Sequence, residues 1–299
     1  MKTSSSIPAA SSRQFLCVAL AVTILAVPGF AEPATLSPFN YGLVDIFDVN
    51  GNDVVPRAEV SSPSAPVFVE SGISPTAYGK ARAAFGSNGF ELQVSGPSSG
   101  AGTGSIWSDG FAVTGGTGSS ILSLSAKIDG SVAGDADMSY ALFVSLNPFD
   151  VQTIVASYEA GPGGDWNPQV PNAVRLLYTA IENGCGGPNA SAGCGQVPLE
   201  NVQGPVNLTL AGSFSFTYGQ TYYLASVFGG DVGVTGGSEH FFNSANFGIT
   251  VPNGATLTGI SGTQYAAAVP EPTTWMLLLA GLAGIVAASR RRTRSVYAR

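Results

Sequence analysis

Alternating apolar and polar residues dominate the middle of the chain and predict β-strands. From Leu122 onward, the segment 119–128 places an apolar residue at nearly every second position, and 140–146, 214–218 and 222–228 do the same. Successive strand residues point to opposite faces, so a period of two is typical of strands with one buried face. Further segments of this composition are 81–85, 90–94, 106–113, 174–178, 206–210, 247–251 and 256–260.

Turn signals separate these segments and predict the fold class. The pairs at 88–89, 129–130 and 253–254 are Asn-Gly or Asp-Gly, which favour tight turns between strands. Residues 96–104 and 161–170 are rich in Gly, Ser and Pro and are predicted to be loops. No helical stripe of ten or more residues occurs between 32 and 268. The pattern therefore predicts an all-β domain, a β-sandwich of jelly-roll type.

An apolar segment near residue 20 breaks the period of two. Residues 15–27 are apolar apart from occasional small polar ones, and Lys2 and Arg13 are the charges before them. Pro28 and small residues follow, with alanine at the −1 position of a cut after Ala31. This arrangement predicts a secretory signal peptide over residues 1–31, with a retained N-terminal anchor as the alternative.

A second apolar segment predicts a transmembrane helix at about 273–289. At ~1.5 Å per residue this helix is roughly 25 Å long, slightly less than a ~30 Å hydrocarbon core. Trp275 and the arginines after the helix extend its reach to the bilayer interfaces. The basic tail, 290–299, follows the positive-inside rule, so we predict that it is cytoplasmic and that residues 32–268 face outward. The topology-setting arginines are Arg290, Arg291, Arg292 and Arg294.

Two prolines flank an acid just before this helix, at Pro270, Glu271 and Pro272. Each proline fixes its own φ and pushes the preceding residue to extended geometry. Such a pre-ordered extended strip suits the groove of a processing enzyme. An ordinary stop-transfer helix with an incidental Pro-Glu-Pro linker is the alternative.

The motif at 269–272, the short apolar helix and the arginine cluster together resemble the PEP-CTERM sorting signal of Gram-negative bacteria. This resemblance covers residues 269–299 and implies recognition by an exosortase-type membrane processing enzyme. Its carriers are exported proteins, often associated with exopolysaccharide and biofilms, and the same tail is also labelled after ice-binding proteins. The resemblance implies a place in the cell envelope before processing, and at the cell surface or in the extracellular matrix afterwards.

Charge excludes some partners of the remaining segment, 32–268. The whole chain has a net charge of −7, but this segment holds 5 basic and 18 acidic residues, a net charge of −13. Like-charge repulsion therefore opposes nucleic acid and anionic membrane surfaces as partners. The segment is long enough for one all-β domain with a sizeable core.

Two cysteines in this segment predict a disulfide. Cys185 and Cys194 flank a Gly-rich stretch, and an exported protein meets an oxidising compartment. A loop of that size would stabilise the fold by roughly 2–3 kcal/mol. No His, Asp or Glu lies between them, which leaves too few ligands for a metal ion.

Catalytic chemistry is scarce, so we predict that the protein is not an enzyme and holds no cofactor. A Ser-His-Asp triad would need His240, the single histidine, which we expect to be solvated or at a sheet edge. No Gly-x-Ser-x-Gly elbow between strand and helix is present. Glu159 with Asp165, or Glu182 with Glu200, would have to supply the two carboxylates of a glycosidase. Solvated loop acids are the favoured interpretation of both pairs.

One segment has the oxygen spacing of a calcium-binding loop. Asp53 stands where such a loop needs glycine, Pro56 falls at another ligand position, and no helical pattern flanks the segment. A β-turn at 50–51 is therefore favoured, with a calcium site as the alternative. The candidate ligands are Asp48, Asn50, Asn52 and Glu59.

Sugar binding is the most plausible binding activity. Trp166, in the loop-like segment 161–170, is the aromatic best placed to stack on a sugar ring. We predict an exported, exosortase-sorted, non-enzymatic surface or exopolysaccharide-matrix protein with a structural or adhesive role. A lectin-like module, calcium-dependent or not, and a carbohydrate-active enzyme are the alternatives. Other candidate stacking residues are Trp107, Tyr158, Tyr222 and Tyr223.

Overall fold

The computed structural model describes residues 36–96, 99–159, 170–183, 199–200, 202–242 and 244–265. The chain divides into two compact units, Met1–Pro33 and Ala34–Arg299, and every described residue belongs to the second. The predicted signal peptide and the segment 269–299 lie outside the described residues.

Thirteen strands and one helix make up the regular structure of the described residues. The helix, α1, spans Val151–Glu159. In chain order the strands are β1 Phe39–Asp48, β2 Ala58–Ser62, β3 Val67–Ile73, β4 Ala77–Ala84, β5 Ser87–Val94, β6 Ser99–Thr114, β7 Ser119–Ser145, β8 Val174–Glu182, β9 Leu199–Glu200, β10 Gly204–Thr217, β11 Thr221–His240, β12 Ala245–Thr250 and β13 Thr256–Gly259.

The all-β prediction is confirmed, whereas the jelly-roll sandwich is not. Hydrogen bonds join all thirteen of these strands into one sheet, whose longest path is β2-β1-β6-β11-β5-β12-β7-β8-β9. The other strands join this path at its sides: β10 pairs with β7, β13 with β6, and β3 through β4 with β5. The topology links the whole set in one hydrogen-bonded network and does not divide the strands into the two packed sheets of a sandwich.

Two long strands hold this sheet together. On one edge β11 pairs first with β6, through Val232, and then with β5 from Gly237 onward. Its other edge pairs with β7 along both parts, with a register shift between the same two residues. On its second edge β7 pairs with β10 and then with β8. The sheet therefore folds over itself, with β4 and β5 lying against β6.

The main hydrophobic core lies between these folded-over parts. Phe90 of β5 meets Phe228 of β11 with ring centroids 4.8 Å apart, and Trp107 of β6 is fully buried nearby. Asn88 of β5, which is buried in this core, donates from Nδ2 to the Ser105 carbonyl at 2.8 Å. Burying each such aromatic side chain contributes about 1.5–3 kcal/mol, which makes this core the main source of stability.

A smaller core lies on the other face of β1, β6, β11 and β7, beneath α1. Val151, Ile154 and Val155 are spaced to form one helical face, and all three are buried in this second cluster. Asp150 caps the helix by accepting from the Thr153 amide at 3.0 Å. At nine residues, α1 is shorter than the ten-residue stripe sought in the sequence. No helix among the described residues has the length and apolarity needed to cross a bilayer.

The turn predictions have mixed outcomes. A turn at 253–254 is confirmed, with Gly254 at φ +83°. The turn predicted at 88–89 is wrong because both residues lie inside β5, and the one at 129–130 is wrong because both lie inside β7. A Cβ on Gly130 would lie 2.3 Å from the Phe241 ring, so this glycine serves packing instead. The loop predicted over 96–104 is also wrong from Ser99 onward, where β6 begins.

Candidate functional site

The outward face of β3, β4 and β5, together with the end of β11, carries most of the described surface chemistry; we name it the β3–β5 face. In β4 the buried positions are Ala or Gly, and the residues between them carry large polar side chains. Register places side chains of neighbouring strands in rows across this face. Its members are Phe68, Glu70, Tyr78, Lys80, Arg82, Glu91, Gln93, His240 and, just after β11, Phe242.

An ion-paired row crosses the middle of this face. Lys80 Nζ lies 2.8 Å from a Glu91 carboxylate oxygen, and the other oxygen lies 3.6 Å from His240 Nδ1. The hydrogen bond that the Lys80 ammonium donates to the Glu91 carboxylate raises the pKa of Lys80 above its usual value. His240 is half exposed at the end of β11, but β5 and β7 pair with it on its two sides, so it does not lie at a sheet edge. This row of charged side chains separates the two ends of the face.

A polar cleft occupies one end of the face, beside the β3–β4 turn. It encloses about 610 Å³ and is lined by Glu70, Tyr78 and Gln93 together with the turn residues. The Tyr78 hydroxyl donates to Glu70 Oε2 at 3.2 Å, and partial burial raises the pKa of Tyr78. An aromatic ring beside carboxylate and amide groups supplies a stacking surface and hydrogen-bonding partners for hydroxyl groups. We name this the polar cleft.

An apolar cleft occupies the other end. It encloses about 440 Å³ beside Phe68, Arg82 and Phe242. The two rings meet edge to face at 5.9 Å, and Phe68 is 52% exposed. Lys80 Nζ lies 4.5 Å and the Arg82 guanidinium carbon 5.4 Å from the Phe242 ring centroid, within cation–π distance. We name this the apolar cleft.

A buried carboxylate fastens the last described segment to the sheet. Asp109 of β6 is 1% exposed and accepts from the Ser261 amide at 3.0 Å, from the Ser261 hydroxyl and from the Tyr265 hydroxyl at 2.6 Å. The Tyr265 ring stacks on Trp107 at 5.9 Å. We name this set the Asp109 clasp. It holds the chain to β6 three residues before residue 268.

Two other acids of β11 lie in a different environment. Glu239 is fully buried, and neither of its carboxylate oxygens has a hydrogen-bond partner among the described residues. Burial, and then the charges of Asp231 and Asp137, raises the pKa of Glu239 well above its usual value. Burial and the neighbouring carboxylates of Asp137 and Asp45 raise the pKa of Asp231 to about 7. The surroundings of Glu239 therefore favour its neutral form over its charged form.

The segment proposed as an alternative calcium loop forms a hydrogen-bonded turn. Asp48 accepts from the backbone amides of Asn50 at 2.7 Å and Asn52 at 3.0 Å, and these bonds hold the pKa of Asp48 at about 2. Both asparagine side chains also donate to Asp48. Glu59 lies in β2 and pairs with Arg57 at 2.6 Å. Among the described residues, no group of three or more His, Cys, Asp or Glu is arranged to hold a metal ion.

The predicted sugar-stacking aromatics have separate outcomes. Trp107 is a core residue, so its candidacy is wrong. Tyr222 packs on Phe111 at 6.0 Å, and Tyr223 is partly buried against the second core. Trp166 and the side chain of Tyr158 lie outside the described residues.

Other predicted sites also lie outside the described residues. These are the cleavage site at Ala31, the disulfide between Cys185 and Cys194, the motif at 270–272 and the arginines after 289. Both carboxylate pairs include side chains that lie outside as well.

Sequence reasoning missed the β3–β5 face, although a signal was present. In the segment 77–84, small residues alternate with Tyr78, Lys80 and Arg82. This pattern is typical of a strand whose small side chains face the interior and whose large polar side chains face outward. The Asp109 clasp gives no such signal, because its members lie more than 150 positions apart in the chain.

Comparison with known proteins finds a family match near the C-terminal end of the sequence. The family described as PEP-CTERM protein-sorting motif matches residues 268–292. No curated protein matches the chain. The match confirms the resemblance seen in the sequence, and it places the motif three residues after the Asp109 clasp. The chain therefore carries a PEP-CTERM sorting motif and is an exported protein that an exosortase, a membrane enzyme, sorts.

Proposed function

We propose that the protein is a non-enzymatic component of the cell surface or exopolysaccharide matrix, and that it is adhesive through the polar cleft. The sorting motif supports the location. The cleft supports the adhesive role, because Tyr78 presents an aromatic ring while Glu70 and Gln93 present oxygens and an amide to one concave surface. Neutral sugars are bound by this combination of stacking and planar hydrogen-bonding groups.

Several observations favour binding over catalysis at this cleft. Glu70 already accepts a hydrogen bond from Tyr78, and the neighbouring Glu91 pairs with Lys80. Glu70 is well exposed, so its oxygens are accessible for hydrogen bonding to a ligand. The local chemistry is therefore that of a lectin-like surface.

Glycan-array binding of the full chain in nonionic detergent, with and without calcium, tests the adhesive role. We expect binding to neutral polysaccharide in both conditions, and Tyr78→Ala should weaken it about ten-fold, since ring stacking contributes roughly 0.5–1.5 kcal/mol beyond burial. Lys127→Ala, at an exposed residue outside the cleft, is the matched control. Absence of binding in every condition would leave a purely structural role. Release of new reducing ends from a bound polysaccharide would contradict the non-enzymatic assignment.

Processing is tested separately by replacing the three residues 270–272 with alanine. We expect the variant to stay in the membrane fraction, because the extended Pro-Glu-Pro strip is the part proposed to enter the exosortase groove. Normal release of this variant from the membrane would contradict the proposed role of the motif.

A further inference from the structure

We propose that the apolar cleft is a membrane-contact surface that takes phospholipid headgroups of the bilayer in which the sorting signal is processed. Phe68 and Phe242 supply rings for the interface between headgroups and acyl chains, and Arg82 supplies a phosphate-binding group. This inference concerns the opposite end of the β3–β5 face from the polar cleft, so it does not depend on the proposed sugar binding.

Chain length limits how far the domain lies from the sorting motif. The Asp109 clasp fixes Tyr265, and Pro270 follows five residues later. Five residues span at most about 18 Å even when fully extended. The end of the domain at which Tyr265 lies is therefore kept near the site where the membrane enzyme acts.

The apolar cleft lies at that end of the domain. Carbons of the Tyr265 ring lie 3.4 Å from where a Cβ on Gly86 would stand, so the β4–β5 turn borders the clasp. Ala84, the last residue of β4 before this turn, lines the apolar cleft. The polar cleft lies at the other end of β4, at Ala77. Eight strand residues at ~3.3 Å each separate the two ends by roughly 25 Å.

The residues of the cleft match the chemistry of a membrane interface. Aromatic rings concentrate at headgroup level, where a flat apolar body and nearby cations are both accommodated. Within the described part of the chain, the Arg82 guanidinium contacts the Phe242 ring and forms no ion pair with a carboxylate. Arginine forms strong paired hydrogen bonds with phosphate oxygens. An exposed ring beside such an arginine is therefore suited to a phospholipid headgroup.

The backbone holds Phe242 in position for this contact. The Phe241 amide donates to the Phe90 carbonyl at 2.8 Å, and the Phe90 amide donates back at 3.2 Å. A Cβ on Gly89 would lie 2.0 Å from the Phe242 carbonyl oxygen, so only glycine permits this close approach. The backbone that carries the ring is thus fixed before any ligand binds, which lowers the entropy lost on binding.

The acidic domain limits which headgroups suit the contact. A net charge of −13 over residues 32–268 repels strongly anionic bilayers, whereas zwitterionic headgroups offer a phosphate without that net repulsion. A weak contact suffices here, because a short tether gives an effective concentration on the order of millimolar. We therefore expect the apolar cleft to contact phosphatidylcholine bilayers. The contact should become weaker when anionic phosphatidylglycerol is added to the bilayer.

Quenching of an introduced tryptophan tests the proposal. The full chain is reconstituted into phosphatidylcholine liposomes with brominated acyl chains, and Phe68→Trp is compared with Tyr78→Trp at the opposite end of the face. After subtraction of the parent chain, we expect roughly two-fold more quenching for Phe68→Trp, since interfacial side chains reach about 5–10 Å into the boundary. Adding Arg82→Gln should reduce this difference, and adding Lys127→Gln should leave it unchanged.

Several outcomes would overturn the proposal. Equal quenching at both positions, or none at either, would show that this end does not contact lipid. A chain that fails to float with the liposomes would remove the premise of a membrane-held domain. Shielding of Phe68→Trp by soluble polysaccharide or by a second copy of the chain, but not by lipid, would assign the cleft to that ligand.

Discussion

Two buried carboxyl groups of the same sheet differ in what surrounds them. Asp109 receives three hydrogen bonds from Ser261 and Tyr265, whereas the oxygens of Glu239 have no hydrogen-bond partner among the described residues. A buried charge is tolerated when its hydrogen bonds are made, and otherwise the group takes up a proton. Burial alone therefore does not decide whether an interior acid stabilises the fold. Asp109 stabilises it by connecting two segments, whereas the buried carboxyl group of Glu239 destabilises it.

The largest effect is expected from removing the carboxylate with partners. Asp109→Ala should lower the free energy of unfolding by about 3–5 kcal/mol, because it removes three hydrogen bonds of about 0.5–1.5 kcal/mol each and leaves their buried donors unsatisfied. Urea unfolding of the full chain in nonionic detergent, followed by tryptophan fluorescence, measures the change. Asp109→Asn keeps an acceptor and should lose less. Equal losses in the two variants would argue against a hydrogen-bonded clasp.

Removing the carboxyl group of Glu239, which has no hydrogen-bond partner among the described residues, should stabilise the protein instead of destabilising it. Because the pKa of Glu239 is raised in the folded state, its contribution to stability is fully present below the unfolded pKa of about 4.5 and is lost as pH rises. Glu239→Gln has no carboxyl group to ionise, so it should gain stability relative to the parent as pH rises from 4 to 8, by about 1.4 kcal/mol for each unit by which the folded pKa is raised. Unfolding measured at pH 4 and pH 8 checks this. A variant less stable than the parent at pH 8 would contradict the assignment.

A single hydrogen bond of the clasp gives a smaller effect. Tyr265→Phe removes only the hydroxyl that donates to Asp109, while the ring can still stack on Trp107. We expect a loss of about 1 kcal/mol in the urea midpoint analysis. If Tyr265→Phe cost as much as Asp109→Ala, the ring hydroxyl alone would account for the clasp.

The smallest effect is expected at a carboxylate that has partners but is exposed. The pKa of Asp48 is lowered to about 2, so its contribution is present above the unfolded pKa of 3.8 and is lost as pH falls toward 2. Water competes for the same hydrogen bonds at this turn, so Asp48→Asn should cost less than Tyr265→Phe at pH 7. Thermal unfolding at pH 7 and pH 3 checks this, and the difference between the parent and the variant should be smaller at the lower pH.

Local patterns predicted the strands but not how they are joined. The segments 119–128 and 140–146 were predicted as separate strands and are both parts of β7. The Asp-Gly pair between them looked like a turn, but the β10 residues Val206 and Asn207 pair with it and keep the strand extended. Strand continuity here depends on a partner more than 70 residues away, and no local period contains that information.

Local sequence likewise predicted only those functional features whose residues are contiguous. The sorting motif is contiguous and was identified from sequence, whereas the polar cleft combines two separate segments of the chain and the apolar cleft combines three. Glu239 gave no signal, because a carboxylate in an alternating strand predicts an outward position. Only the register shift between Val232 and Gly237, which re-aims the end of β11, accompanies its inward position.

The sharing of β7 and β11 between both parts of the sheet has a consequence for how the domain comes apart. Neither of the two folded-over parts of the sheet can unfold alone, because its unfolding would break hydrogen bonds to β7 or β11, which also belong to the other part. Among the strands that the structure describes, no boundary exists along which one half could open while the other stays intact. Denaturation should therefore proceed as a single all-or-none event, and proteases should find few partly opened forms to cut.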